Sequence, residues 1–144
     1  MNVVQYGEFK CGPMRGENTV AAVEIMIVDD FKEWRTQLHR FLELLAGFYV
    51  VAEAANGLEA VDKAARFLPD IVLLDIGMPL LNGIEAARQI RRASPESEII
   101  FLTENSSSDV RDECFRAGAV GYVLKSKAVH DLIPAINAAL KEKV

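Results

Sequence analysis

Four short apolar runs in this chain each end in a chemically active side chain. Ile71-Val72-Leu73-Leu74 closes on Asp75, and Ile25-Met26-Ile27-Val28 closes on Asp29-Asp30. Ile99-Ile100-Phe101-Leu102 closes on Thr103, and Gly121-Tyr122-Val123-Leu124 closes on Lys125. The first three runs are apolar throughout rather than alternating. A strand tolerates that pattern only when both of its faces are covered, as in a parallel sheet between helices. Parallel strands point the same way, so their ends deliver an acid pair, a third acid, a hydroxyl and an amine to one edge.

Strand patterns near 24–29, 48–54, 70–75, 98–103 and 120–124 alternate with helix patterns near 31–46, 57–68, 82–93, 107–117 and 128–142. Trp34, Leu38, Phe41, Leu42 and Leu45 make one helical stripe, and Leu132, Ile133, Ile136, Ala139 and Leu140 make another. Five β-α units with right-handed crossovers predict the α/β class. The expected architecture is a doubly wound five-stranded parallel sheet of order 2-1-3-4-5, the flavodoxin-like (βα)5 arrangement. Its switch point falls between the first and third strands, and both of these end in acids. Ligands bind beyond the carboxyl ends of the strands at that point.

A length of 144 residues fits one domain over 23–144, with residues 1–22 expected as a flexible N-terminal extension. The net charge of −5 argues against wrapping nucleic acid, and Arg88, Arg91 and Arg92 read as a solvated helix face. Cys11 and Cys114 make no disulfide framework or zinc motif, and Cys114 reads as a small buried helix residue. There is neither a membrane-length apolar stretch nor an apolar signal core, so a cytoplasmic location is expected. His39 and His130 read as exposed helix residues without partners.

Three carboxylates within about 5 Å of one another repel by roughly 3 kcal/mol per pair at an effective dielectric near 20. Either some of them are protonated or a cation is bound. Oxygen-only donors select a hard ion, and Mg²⁺ keeps waters while using one or two carboxylates plus phosphate oxygens. Asp30 and Asp75 are the expected direct ligands, Asp29 a direct or water-mediated one, and the Gly77 carbonyl a backbone ligand. A carboxylate can attack phosphorus, with Asp75 at the centre of the sheet edge as nucleophile. Lys125 and Thr103 can then pair with separate phosphoryl oxygens. Taken singly, Asp30 reads equally well as a helix cap, and Asp75 reads more readily as a turn residue. The order of residue types across four strand ends carries the functional reading.

The motifs Ile27-Val28-Asp29-Asp30, Leu73-Leu74-Asp75-Ile76-Gly77-Met78-Pro79 with Asn82-Gly83, Thr103, and Gly118-Ala119-Val120-Gly121-Tyr122-Val123-Leu124-Lys125 resemble the receiver domain of two-component response regulators over about 24–142. The ending, with Ser126 after Lys125, is similar to the NarL/LuxR-type subgroup. The resemblance implies a sensor histidine kinase as phosphodonor, Asp75 as phosphoacceptor with Mg²⁺, and Thr103 and Tyr122 as switch residues. It also implies a homodimer on activation. DNA would be reached only through a C-terminal helix-turn-helix domain, which is not expected within a sequence that stops at Val144. That leaves a stand-alone receiver or the receiver part of a transcription regulator. Glu104 departs from the small residue usual after the Thr and is expected to restrict access. Gly77 and Asn105 hold positions that influence dephosphorylation in the family. The alternative is an aspartyl-phosphate phosphohydrolase of the haloacid dehalogenase type. Against it, Gly77 stands where that class has a general acid-base residue, and the acid pair precedes the nucleophile.

Overall fold

The computed structural model describes residues 22–141. β1 (Val23–Val28), β2 (Phe48–Ala54), β3 (Ile71–Leu74), β4 (Glu98–Thr103) and β5 (Gly121–Leu124) form one parallel sheet of order β2-β1-β3-β4-β5. The helices are α1 (Lys32–Glu43), α2 (Gly57–Phe67), α3 (Gly83–Ala93), α4 (Ser108–Arg116) and α5 (Ala128–Lys141). This is the predicted doubly wound topology. Apart from Ala22, the expected extension over residues 1–22 lies outside the described residues, Cys11 included. The end of the predicted last helix, residue 142, also lies outside them. The first helix stops at Glu43 rather than 46, where a turn through Gly47, at φ +98°, leads back into the sheet. Gly47 O accepts from Val23 N at 2.7 Å and ties that turn to the start of β1.

Successive strand residues face opposite sides of a sheet. Met26, Val28, Val72, Leu74, Ile99 and Phe101 therefore pack on one side against the small residues Ala60, Ala64, Ala86 and Ala87, with Ile90 and Cys114, on α2, α3 and α4. Ile25, Ile27, Ile71, Leu73, Ile100 and Leu102 pack on the other side against Leu38 and Leu42 of α1 and Leu132 and Ile136 of α5. Each large side chain buried this way contributes about 1.5–3 kcal/mol. Two full cores explain why Ile25–Val28, Ile71–Leu74 and Ile99–Leu102 are apolar at every position. Cys114 is fully buried, as read from the sequence, and burial pushes its thiol up to about 11.

Local signals aim the strand ends. Asn56, Asn82 and Ser107 cap α2, α3 and α4 by accepting from Glu59 N, Glu85 N and Val110 N. Gly83 opens α3 directly against the residue that follows β3. A Cβ there would sit 1.9 Å from the Asp75 carbonyl oxygen, so only glycine allows that approach. A single 3₁₀ turn, Lys125–Lys127, joins β5 to α5.

His39 corrects the sequence reading. It is half-buried, with Nδ1 2.6 Å from Glu53 Oε2 and Nε2 3.1 Å from Glu43 Oε2. Glu53 comes from β2, and helical spacing within α1 cannot reveal a partner on a neighbouring strand. His130 is exposed on α5, as expected.

Candidate functional site

β1 and β3 run side by side with Val28 level with Leu74, and Asp75 N donates to the Val28 carbonyl at 3.0 Å. The acids that follow both strands are thereby brought together. Carboxylate oxygens of Asp29, Asp30 and Asp75 all lie within 4.8 Å of one another. On the other side of β3, β4 pairs with β5 so that Thr103 is level with Leu124, one residue before Lys125. The result is one cleft of about 460 Å³ lined by Asp29, Asp30, Asp75, Gly77, Thr103, Glu104, Asn105 and Lys125, with Phe31 and Ile76.

The three acids differ in environment. Asp29 is buried, Asp75 half-buried and Asp30 exposed. Asp29 Oδ1 accepts from Phe31 N at 2.8 Å. α1 has Phe31 at its N-cap position with no side-chain cap bond, so Asp30 does not serve as a cap. Its carboxylate is left at the cleft. Asp75 Oδ1 accepts from Ile76 N at 2.8 Å, and Oδ2 accepts from Lys125 Nζ at 3.3 Å.

Lys125 Nζ also lies 2.6 Å from Asp29 Oδ2. That ion pair is the contact the structure gives this buried oxygen. Burial pushes the Asp29 carboxyl above its ordinary value and Asp75 adds to the rise, while Lys125 and the Phe31 amide oppose it. Burial alone would pull Lys125 down, but Asp29 and Asp75 outweigh it and hold the ammonium above its ordinary value. Lys125 is therefore a firmly charged cation facing two anions.

This donor set fits a divalent hard cation. Its donors are oxygens, and three carboxylates share one ammonium. Lys125 occupies the position of a stand-in cation between Asp29 and Asp75. The Thr103 hydroxyl, buried at the cleft wall, accepts from Asn105 N at 3.3 Å. Gly77 is exposed, and a side chain added there would meet nothing within 4 Å. The space above the acids is therefore open.

Tyr122 stands apart from the cleft lining. Its ring packs against the core that contains Phe101, and its hydroxyl donates to the Asn105 carbonyl. Burial pushes the phenol above its ordinary value. Tyr122 thus links β5 to the loop that follows Thr103.

Three residues at or behind the site escape sequence reasoning. Arg35 donates from Nη1 to the Asp29 carbonyl at 2.7 Å and from Nε to Glu53 Oε1 at 3.1 Å. Phe31 lines the cleft and is mostly exposed. Trp34, read as part of the helix stripe, places its ring 5.0 Å from Lys125 Nζ. Their roles depend on the entry angle of α1, which no local spacing encodes.

Comparisons with known proteins agree with this fold. A family model described as the response regulator receiver domain matches residues 25–137. Response regulator UvrY of Escherichia coli strain K12 is 34% identical over 116 residues, which are 81% of this chain and 53% of that protein. Transcriptional regulatory protein LnrK of Bacillus subtilis strain 168 is 37% identical over 114 residues, 79% of this chain and 52% of that protein. The chain thus spans about half the length of the curated relatives it matches. Among solved structures, a LuxR-family two-component response regulator from Aurantimonas sp. SI85-9A1 superposes with a TM-score of 0.80 at 38% identity, covering 85% of this chain and 88% of that one. A chain of the CheX–CheY–BeF3–Mg²⁺ complex from Borrelia burgdorferi superposes at 0.78 with 25% identity, covering 83% of this chain and 90% of that one.

Proposed function

The chain belongs to the response regulator receiver domain family, with LuxR-type relatives, and on that premise we propose that it is a phosphoacceptor switch whose nucleophile is Asp75. The observation that carries the reading is the gathering of Asp29, Asp30 and Asp75 within 4.8 Å around a charged Lys125. Asp29, Asp30, Asp75 and the Gly77 carbonyl would hold Mg²⁺, which supplies charge neutralisation at a phosphoryl oxygen.

An Asp75 carboxylate oxygen attacks the phosphorus of a histidine kinase phosphohistidine. The new O–P bond forms as the N–P bond breaks, and the imidazole departs with the bonding electron pair. Lys125 leaves Asp75 Oδ2 to pair with a phosphoryl oxygen, and the Thr103 hydroxyl donates to another. Movement of Thr103 draws on the loop that Tyr122 holds through the Asn105 carbonyl, which makes Tyr122 the second half of the switch. Such a shift is driven by contacts that exist only with the phosphoryl group present. Catalysis is confined to the protein's own phosphorylation and dephosphorylation. A homodimer on activation completes the proposal. DNA contact by the described domain itself is disfavoured by the chain's net charge of −5.

The phosphohydrolase alternative is not supported. The matching family is the receiver domain, and Gly77 supplies no acid two residues after Asp75. Among the described residues no helix is long and apolar enough to cross a membrane. Intact mass after incubation with acetyl phosphate and Mg²⁺ tests the proposal, with beryllofluoride binding as the control for a slow donor. Wild type gains one phosphoryl group and Asp75→Asn gains none. Labelling of Asp75→Asn at the wild-type level would place the chemistry elsewhere.

A further inference from the structure

Lys125 has an aromatic neighbour as well as two anionic ones. Its Nζ lies 5.0 Å from the centroid of Trp34, the chain's single tryptophan. Within that distance an ammonium is attracted by the ring's negative face. Trp34, Glu104, Lys125 and Ser126 line a second cleft of about 310 Å³, and Lys125 and Glu104 belong to the walls of both clefts. Lys125 is therefore the partition between the acid pocket and an aromatic recess on the α1 side.

The acids and the ring hold the amine in different ways. A dication taken up by Asp29 and Asp75 competes with Lys125 for the same oxygens and repels it. Released from them, a four-carbon side chain gains freedom by extending into water. A carboxylate placed nearby would retain it but would also compete for the metal. An aromatic face retains a cation without offering a ligand to a hard ion. We propose that Trp34 is a positioning residue that keeps the Lys125 ammonium beside the pocket when a divalent cation occupies the acids. The amine is then already in place for a phosphoryl oxygen. This inference rests on the function proposed above. The competing account is purely structural, because Trp34 also packs at the margin of the core formed by Leu38 and Ile27.

Calorimetric titration with beryllofluoride at saturating Mg²⁺ separates the two accounts. Trp34→Leu should bind about 3- to 10-fold more weakly than wild type, the worth of a partly buried cation–π contact. Trp34→Tyr should stay within about 2-fold, since it restores an aromatic face. In a Lys125→Met background, Trp34→Leu should have no further effect. Urea midpoints confirm that the variants fold, and Trp34→Met replaces Trp34→Leu if the latter does not. Wild-type affinity in Trp34→Leu, or equal losses in the Tyr and Leu variants, overturns the inference. If wild type itself binds no beryllofluoride, the phosphoacceptor reading falls. The contact is then judged in metal-free protein by indole emission. Altered intensity in Lys125→Met supports it, and an unchanged spectrum overturns it.

Discussion

Two charged clusters meet at Arg35 of α1, and they differ in balance. In the outer one, Glu53 is flanked by Arg35 at 3.1 Å and His39 at 2.6 Å, while Lys63 Nζ donates to the Glu53 carbonyl at 2.6 Å. His39 sets Nδ1 against Glu53 and Nε2 against Glu43. Burial tends to raise the Glu53 carboxyl, but the bonds from His39 and Arg35 outweigh it and the group is held below its ordinary range. In the inner cluster, three acids share one ammonium, and Asp29 is held above its ordinary range. Arg35 touches both, through Glu53 and through the Asp29 carbonyl. The comparison teaches that acidic side chains alone do not mark a site. A cluster whose acid is held by basic partners reads as structural, whereas one short of positive charge is where the proposed cation would bind.

The largest expected effect tests that distinction with the metal. At an Mg²⁺ concentration about 100 times its Kd, wild type should gain about 2.7 kcal/mol of stability. Asp29→Asn should lose most of this gain yet be about 1 kcal/mol more stable without metal, because a poorly compensated buried charge is removed. Urea denaturation with and without Mg²⁺ measures both quantities. Lower metal-free stability would make the inner cluster structural and break the comparison.

The next effect is smaller and of opposite sign. Glu53→Gln should cost about 0.5–1 kcal/mol at neutral pH, with the Mg²⁺ gain retained. The folded Glu53 carboxyl is lowered, so its contribution is full above its unfolded value of about 4.5 and is lost as pH falls through the folded value. The stability gap between wild type and Glu53→Gln should narrow below that pH in parallel urea titrations. A gap that widened in acid would reverse the assigned sign.

The smallest effect sharpens the description of the pocket mouth. Glu104 is exposed, lines the cleft and adds a fourth carboxylate near its entrance. Glu104→Ala should speed labelling by acetyl phosphate about 2- to 3-fold, the scale of one screened surface charge. An equal or slower rate in intact-mass time courses would discard a role for Glu104 in access.

Much of the site was legible because strand direction is. Ile25–Val28 and Ile71–Leu74 are apolar at every position, which requires covered parallel strands. Parallel strands put Asp29, Asp30 and Asp75 at one edge whatever the details of packing. Thr103 and Lys125 follow by the same rule. Asp30 was ambiguous between cap and ligand, since both readings use the same residue in the same place. The structure removes the cap reading: Phe31 holds the cap position without a side-chain bond, and its amide goes to Asp29.

The sequence by itself determined the sheet order, the edge at which the acids meet and the residue types gathered there. It could do so because periodicity and chain direction are local properties that fix which end of each strand faces which way. Only the tertiary structure decided the partners: Lys125 between Asp29 and Asp75, Trp34 beside that amine, Arg35 bridging Asp29 to Glu53, and His39 paired rather than free. Those contacts depend on how α1 crosses β1 and β2. That crossing is set by the summed packing of Leu38 and Leu42 on a sheet assembled from distant segments, and no short stretch of sequence contains it.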